Sequence, residues 1–520
     1  MSEKGKVARA AGVVGGATLA SRVLGFVRDA VAAWFFGAGL AADAFFVAFR
    51  IPNLLRRLFA EGSLTIAFVP VFSQRMEDHG QQDAFAMARA GFRLLALVLA
   101  GVTVLGIVFA PQVVSVVAPG FARNPDKLAL TVTLTRITFP YVFFICLVAL
   151  CMGVLNGLGH FFAPAAAPVL LNVAMIGAVF GLAPLFEQPV VGLAWGVIIG
   201  GALQLFFQFP YLVKKGVRLW EGKSLWHPAL GRVMVLMGPA VFGAAVYQVN
   251  ILVGTLLASL LPPGSVSYLY YADRLVQFPL GVFGIALATA VLPTLSRQAA
   301  RKDFDELAQS FSFAVRLLFF ITLPAAAGLI VLRTPIVALL FERGEFGPAA
   351  TAATARALLY YAVGLWAFSA VRIVVAVYYS LQDTWTPVRS AMISMAANAV
   401  FALALMGPML HAGLALATSL ASGVNLLILV ALLRRRLGGL RGGDILSSVF
   451  RSAAAAGAMG LAVHFAAGPV LGPDPSLPRL AGGVCGLVVL GMAVFAAGAR
   501  ALRLSEFDYA LSMVRKRRRS

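Results

Sequence analysis

The chain consists of long apolar stretches that are separated by short polar segments. A membrane-spanning helix needs about 20 mostly apolar residues, and the apolar stretches reach that length. Because the number of predicted helices is even, we expect both termini on the same side of the membrane. The fourteen predicted helices are 10–36, 41–74, 86–118, 128–157, 164–185, 190–213, 233–261, 266–296, 305–333, 350–380, 387–408, 412–433, 446–468 and 480–502.

The composition agrees with a chain whose main solvent is lipid. Hydrophobic residues make up 60% of the 520 residues and charged residues only 12%, against about 25% charged in a typical globular domain. The mean hydropathy is +0.89. These values exclude a disordered chain, a collagen-like repeat, a disulfide scaffold and a soluble enzyme with one membrane anchor. The predicted fold class is an all-α polytopic membrane protein.

The positive charge is concentrated in alternate loops and in the C-terminal tail. Lys and Arg number 42 against 21 Asp and Glu, a net charge of +21. In a soluble protein this excess would suggest a nucleic-acid partner, but short basic segments beside spanning helices follow the positive-inside rule. We therefore expect cytoplasmic termini, no nucleic-acid partner and no removed signal peptide. The opposite loops are poor in basic residues and hold Arg123, Lys127, Arg343 and Arg479.

The sequence contains an internal repeat. Pro70–Ser73 matches Pro293–Ser296 and Arg93 matches Arg316, both 223 residues later. The matches stay collinear over most of each half, which favours duplication over chance similarity between apolar helices. Each repeat holds six helices, and an even unit keeps its orientation when duplicated, so the two lobes should be parallel around a central cavity.

The repeat and the charge pattern together predict five domains. The segment between the lobes contains Trp220 and Trp226 among basic residues, which is typical of a helix lying on the cytoplasmic membrane surface. The domains are an N-terminal six-helix lobe (1–215), a cytoplasmic interfacial linker (216–232), a C-terminal six-helix lobe (233–436), an extra transmembrane helix pair (446–502) and a basic cytoplasmic tail (503–520).

Charged residues interrupt three of the predicted spanning helices. A charge at mid-bilayer costs about 2.5–3.5 kcal/mol on insertion scales, so such residues should face a wet cavity or a partner. Arginines exceed acids in this set, and arginine suits bidentate recognition of phosphate. We therefore predict a cationic cavity and an anionic, phosphorylated substrate. The candidate residues are Arg22, Arg28, Asp29, Asp43, Arg50, Asn53, Arg56, Arg57, Glu61, Asp273, Arg274 and Gln277.

The alternative for these residues is a structural role. Arg28 and Asp29 could form an ion pair that only stabilises the helix, and Arg56 and Arg57 could extend to the membrane surface. The roles of four further arginines stay open between cavity and membrane surface. They are Arg136, Arg316, Arg356 and Arg372.

The sequence lacks the usual motifs of catalysis. It has no Gly-rich phosphate loop ending in GK[ST] and no HExxH, and its five histidines are scattered. The three cysteines lie in apolar runs. We expect no catalytic residue, no metal site and no cofactor, so transport is favoured over an enzyme.

Three segments resemble the MurJ-type (MviN) lipid II flippases. They are Ser21–Asp29 (SRVLGFVRD), Asp43–Arg57 (DAFFVAFRIPNLLRR) with its continuation Phe59–Gly62, and Tyr270–Leu275 (YYADRL). The resemblance extends over essentially the whole chain. It implies the fold of the multidrug/oligosaccharidyl-lipid/polysaccharide exporter superfamily, residence in a bacterial inner membrane, and lipid II, the undecaprenyl-pyrophosphate-linked disaccharide-pentapeptide, as substrate.

The resemblance also implies roles for single residues. Arginines matching Arg22, Arg28, Arg56 and Arg274 line the cavity in the family, and the acid matching Asp43 matters for function. The residue matching Asp29 lies beside the pyrophosphate region, and the last helix pair resembles the groove that accommodates the polyprenyl tail. A sodium site known in some members is not carried over, because Asn250 and Asp383 are isolated in this sequence.

The resulting hypothesis is a flippase that works by alternating access and is driven by the membrane potential or an ion gradient. Further partners are membrane lipids and cell-wall synthesis proteins. Three alternatives stay open: an exporter of another polyprenyl-linked glycan or a drug, a polytopic enzyme such as a polyprenyl-phosphate glycosyltransferase, and a scaffold that transports nothing.

Overall fold

The computed structural model describes residues 3–59, 64–472 and 475–517, and this part of the chain is almost entirely helical, without a β-strand. The first ten helices are α1 (Glu3–Phe36), α2 (Leu40–Phe59), α3 (Thr65–Asp78), α4 (Gly80–Val108), α5 (Ala110–Val117), α6 (Pro125–Thr138), α7 (Tyr141–Gly157), α8 (Phe162–Gly181), α9 (Val190–Lys214) and α10 (Pro228–Ser259).

Ten further helices complete the described chain. They are α11 (Ser265–Pro279), α12 (Ala286–Ala300), α13 (Phe304–Val331), α14 (Arg333–Phe341), α15 (Pro348–Ser380), α16 (Trp385–Met409), α17 (His411–Leu437), α18 (Gly442–Leu471), α19 (Leu477–Ala501) and α20 (Ser505–Arg517).

Most of the fourteen predicted membrane spans correspond to long apolar helices. Within the described ranges, eleven helices are long and apolar enough to cross a membrane, or twelve if the bent α10 is one span. The charged α1 and the α2–α3 segment precede these spans and correspond to the first two predicted helices. The predicted all-α polytopic fold class is therefore confirmed.

Several predicted helices are interrupted in the structure. The predicted helix 86–118 is divided at Phe109 into α4 and α5, because Pro111 lacks an N–H and starts a new helix instead of continuing the old one. The predicted helix 266–296 contains a π-helical segment, Leu280–Ile285, directly after Pro279. A proline removes one backbone hydrogen bond, which favours such a local change of helix type.

The prediction of a helix in the interfacial linker is wrong. Between the end of α9 and the start of α10 the chain forms turns and irregular structure. Gly216 and Gly222 adopt φ values of +82° and +92°, a left-handed conformation that ends helices. The linker is instead held on α4, where Arg93 donates to the carbonyl of Gly222 and Arg89 lies 3.9 Å from Glu221.

The chain forms two compact units, which are Met1–Ser267 with Arg343–Phe346, and Tyr268–Glu342 with Gly347–Ser520. In the first unit α1 packs against α8, α8 against α9, and α2 against α6. The short segment belongs to this unit because the Glu345 N–H donates to the Trp34 carbonyl at 3.0 Å. The predicted domain boundaries follow the repeat rather than these contacts and stay a prediction.

In the second unit α15 packs against α17, and α13 against α15 and α18. The extra helix pair shares an apolar core with α13, in which Met459 and Val463 of α18 and Leu487 of α19 lie near Phe320. This core fixes α18 and α19 to the second unit.

Gly192 and Gly413, which match each other in the repeat at an offset of 221 residues, occupy the same place in the two repeats. Gly192 lies in the first turn of α9, and a Cβ there would clash with the backbone of Ala183. Gly413 lies in the first turn of α17, and a Cβ there would clash with the backbone of Leu405. Both glycines allow a helix to start close to the chain that precedes it, which explains why this residue type occurs in both repeats.

Candidate substrate site

The first group of candidate residues lies on α1, where it packs against α8. Arg28 is 9% exposed and Asp29 is 4% exposed. Arg28 Nε and Nη2 donate to Asp29 Oδ1 at 3.0 and 2.7 Å. The structure therefore contains the Arg28–Asp29 ion pair that the sequence allowed, and this pair offsets the cost of burying two charges.

A residue of α8 that was not predicted from the sequence completes this group. Asn172 Oδ1 accepts a hydrogen bond from Arg28 Nη1 at 3.1 Å, and Asn172 Nδ2 donates to the Ser21 carbonyl at 3.0 Å. Its side chain is buried. The sequence does contain a signal for this residue, since Asn172 is the one amide in the apolar run Leu170–Val173. A buried amide in such a run needs a hydrogen-bond partner.

Arg22 lies on the same helix in a different environment. The spacing of seven residues predicts a shared face with Asp29. Arg22 is exposed, whereas Asp29 is buried. The two residues therefore do not share the same surroundings.

The second group surrounds Asp43 near the start of α2. Asp43 is 1% exposed, and its carboxylate accepts four hydrogen bonds. Oδ2 accepts from Lys127 Nζ and from the Gly264 N–H, both at 2.7 Å. Oδ1 accepts from the N–H and hydroxyl of Ser267 at 2.9 and 2.6 Å. Asp43 thus connects α2 to the first turns of α6 and α11.

The expectation that Lys127 is a loop residue is wrong. It lies in the first turn of α6, is 5% exposed, and forms an ion pair with Asp43. Its ammonium also lies 4.0 Å from the centre of the Phe121 ring. The polar sequence around it resembles a loop, and packing against Asp43 of α2 and against Phe121 buries it.

The C-terminal half of α2 contains the remaining candidate residues of the first unit. Arg50 donates to the Thr255 hydroxyl of α10. Arg56 Nε donates to Asn53 Oδ1 at 2.8 Å, and Arg57 is half-buried on the same helix. Glu61 lies outside the described residues.

Arg274 lies in the second unit, on α11. Its Nη2 donates to the Tyr270 hydroxyl at 2.9 Å, and its guanidinium carbon is 5.0 Å from the centre of that ring. Gln277 donates to Asp273, which lies one turn earlier on the same helix. The tyrosine therefore contributes to the orientation of the Arg274 side chain.

The four arginines whose roles the sequence left open have different surroundings. Arg316 Nε lies 3.3 Å from the buried Glu506 Oε1, so it connects α13 to α20. The other three are exposed, namely Arg136, Arg356 and Arg372.

The candidate residues described in the first unit carry a positive excess. Five arginines accompany two acids, and each acid is fully buried beside a cation. Such a surplus of guanidinium groups suits an anionic ligand. Within the described ranges, no three His, Cys, Asp or Glu side chains cluster as a metal site would require.

Comparison with known proteins decides the family. Residues 32–470 match the family model described as Lipid II flippase MurJ. The chain belongs to the MurJ family. A probable lipid II flippase MurJ of Vibrio cholerae is 42% identical over 428 residues, which cover 80% of this chain and 81% of the relative. A probable lipid II flippase MurJ of Rhizobium meliloti is 40% identical over 514 residues, 97% of this chain and 94% of the relative.

Solved structures agree with the family. A lipid II flippase MurJ in an inward closed conformation has a TM-score of 0.78 at 25% identity, covering 94% of this chain and 99% of that one. An inward-facing multidrug transporter of the MATE family, in the MOP superfamily, has a TM-score of 0.69 at 17% identity, covering 81% and 96%. The second likeness shows a shared fold alone.

These findings confirm the MurJ family and the exporter fold expected from the sequence. The assignment of single MurJ-family site residues, and their convergence on one cavity, stay predictions.

Proposed function

We propose that this chain moves lipid II from the cytoplasmic to the periplasmic leaflet of the membrane. The observation that carries the proposal is membership of the MurJ family over most of the chain. The alternative of a drug exporter has no comparable support, because the MATE likeness extends to the fold only.

The chemistry of the candidate residues supports this substrate. Lipid II carries a pyrophosphate, and the candidate residues described in the first unit include five arginines and two acids. Arginine binds phosphate oxygens through two parallel hydrogen bonds. The long polyprenyl chain needs an apolar lateral route, which the helix pair α18–α19 would provide. The proposed activity transfers a lipid between leaflets and breaks no covalent bond, so the chain is not an enzyme.

The transport cycle in this proposal is alternating access around a central site. The chain resides in a bacterial inner membrane with both termini in the cytoplasm, which the basic residues of alternate loops support. Membrane lipids and cell-wall synthesis proteins are its further partners. The energy comes from the membrane potential or an ion gradient, and no cofactor takes part.

Depletion with complementation tests the function. Cells depleted of the protein should accumulate lipid II in the cytoplasmic leaflet, and the wild-type chain should relieve this. Arg28→Ala and Arg274→Ala should not relieve it despite normal expression. Arg301→Ala, which removes an exposed arginine after α12, is the matched control and should complement fully.

Two results would contradict the proposal. Unchanged leaflet distribution of lipid II after depletion would remove the flippase function. Full complementation by both Arg28→Ala and Arg274→Ala would remove the assigned headgroup site and favour a scaffold.

A further inference from the structure

The buried amide of Asn172 contacts α1 twice, once at the backbone and once at a side chain. Its Nδ2 donates to the Ser21 carbonyl at 3.0 Å, and its Oδ1 accepts from Arg28 Nη1 at 3.1 Å. Only 5% of the residue is exposed. An amide in an apolar helix costs free energy unless both of its polar atoms are bonded, and here each atom has a partner on α1.

These contacts restrict the orientation of Arg28. Asp29 binds Nε and Nη2 but lies next to Arg28 on the same helix. Asn172 lies on α8, so its carbonyl oxygen fixes Nη1 relative to a second helix. An arginine with partners on two sides loses much of its rotamer freedom, and the plane of the guanidinium group is fixed before any ligand binds.

The chemical type of the contact is also informative. Asp29 already places one negative charge on Arg28. A second carboxylate at position 172 would make the group of three net negative, which would oppose a phosphate ligand. A neutral amide orients the guanidinium group and leaves the charge balance of the pair unchanged.

We infer that Asn172 is a positioning residue that orients Arg28 for the diphosphate of the transported lipid, without touching the substrate itself. The inference rests on the proposed function. It adds a residue of α8 to a site that the sequence placed on α1, α2 and α11.

Three variants of the full-length protein test the inference in lipid nanodiscs. The probe is a lipid II analogue with a shortened prenyl chain, and its affinity is measured by titration beside the thermal unfolding midpoint. Asn172→Leu removes both contacts and should lower the affinity roughly tenfold, a typical size for the coupling between residues in contact. Asn172→Asp keeps the size and an acceptor but adds a negative charge, so it should lower the affinity at least as much. Arg28→Ala is the reference for a lost site.

A matched control separates orientation from stability. Gln204 on α9 is also a buried amide, and its Nε2 donates to the Ala167 carbonyl of α8 at 3.0 Å. Because the Oε1 of Gln204 has no hydrogen-bond partner within the described residues, Gln204→Leu should lower the unfolding midpoint less than Asn172→Leu does. It should leave the affinity for the analogue unchanged.

The outcomes distinguish the inference from the function on which it rests. If both Asn172 variants bind as wild type does while Arg28→Ala loses binding, the inference is wrong and the function stands. If Arg28→Ala binds normally, the headgroup site and the inference fail together. If Gln204→Leu weakens binding as much as Asn172→Leu, the effect is one of general packing and the inference is overturned. Should Asn172→Leu fail to fold, the comparison of Asn172→Asp with the control decides.

Discussion

At the scale of single residues, buried charges in this chain are neutralised by partners from distant segments. Asp43 and Lys127 are 84 residues apart, and their charged atoms lie 2.7 Å from each other. Burying two charges costs several kcal/mol per ion, and a close partner with further hydrogen bonds offsets that cost. Three of the four hydrogen bonds to Asp43 come from neutral donors in Gly264 and Ser267. The carboxylate of Asp43 therefore has more hydrogen-bond partners than the ammonium group of Lys127.

This asymmetry leads to a prediction for the two partners. Asp43→Asn leaves the ammonium of Lys127 buried without a counter-charge and should lower the free energy of unfolding by about 3–5 kcal/mol. Lys127→Met should cost less, because Asp43 keeps its three neutral donors. The double variant should cost less than the sum of the single variants. Thermal unfolding of the purified proteins in detergent measures these differences, and additive costs would contradict the proposed coupling.

The sequence predicted some of these residues and missed others for a physical reason. Arg28, Asp29 and Asp43 are visible because a charge within an apolar run is unusual. Lys127 follows a polar stretch and has no such contrast, and its burial depends on contacts with Asp43 and Phe121 that the local sequence does not show. The Arg28–Asn172 hydrogen bond joins residues 144 positions apart, and hydrophobic periodicity carries no information about such pairs.

At the scale of helices, the start of α16 shows how a loop acid stabilises a helix end. Asp383 Oδ1 accepts from the Thr386 N–H at 3.0 Å, and Oδ2 accepts from Arg436 Nη1 of α17 at 2.7 Å. Partial burial favours the protonated acid, but the hydrogen bonds from Thr386 and the charge of Arg436 outweigh it and lower the pKa of Asp383. The ionised carboxylate thus connects α16 to the end of α17.

A dependence on pH follows from this lowered pKa. Because the pKa is lower in the folded than in the unfolded state, the stabilisation is complete above the unfolded value of about 3.9. It is lost as the pH falls through the lower folded value. Asp383→Asn should cost about 1 kcal/mol at neutral pH, as other first-turn capping changes do, and much less in acid. Unfolding midpoints of both proteins between pH 7 and pH 3 test this. A difference between the two proteins that stays constant from pH 7 to pH 3 would contradict this prediction.

The linker between α9 and α10 offers a second prediction at this scale. Trp220 is 57% exposed, and its ring centre lies 5.9 Å from that of Phe209 on the spanning helix α9. Tryptophan prefers the boundary between lipid and water. A variant with Trp220 as its one tryptophan should be quenched by brominated lipids most strongly when the bromine lies near the headgroups. A variant that keeps only Trp366 provides the comparison, and quenching of Trp220 by aqueous iodide alone would place the linker away from the membrane.

The sequence predicts where the spanning helices are better than it predicts where they are interrupted. Length and apolar composition are sufficient to predict a span, because lipid requires every backbone group to be bonded within the helix. The division at Phe109 and the π-helical segment Leu280–Ile285 depend on single prolines whose effect varies with packing. The linker composition was compatible with a helix, but left-handed Gly216 and Gly222 prevent it.

At the scale of the whole molecule, duplication is the feature that the sequence shows most clearly. Gly192 and Gly413 occupy equivalent first turns in the two units. Arg93 and Arg316, a matched pair in the repeat, contact different kinds of partner, because Arg93 donates to the Gly222 carbonyl of the linker and Arg316 lies 3.3 Å from the Glu506 carboxylate of α20. The fold and the family were predictable because such long patterns are redundant, whereas a site depends on a few contacts between distant segments.

The energy source of the proposed transport can be tested with an imposed membrane potential. Moving one elementary charge through the membrane field is worth about 2.3 kcal/mol per 100 mV. A potential that is negative inside drives an anionic headgroup outward, provided that the protein's own charges stay in place. An imposed potential of this sign should therefore accelerate outward transport of a fluorescent lipid II analogue in proteoliposomes, by at most about 50-fold per charge and 100 mV. Potassium diffusion potentials set with valinomycin provide a series of imposed potentials. Sodium and proton gradients are imposed in separate experiments. A rate that stays constant across all of these conditions would show that neither the potential nor these gradients drives the cycle.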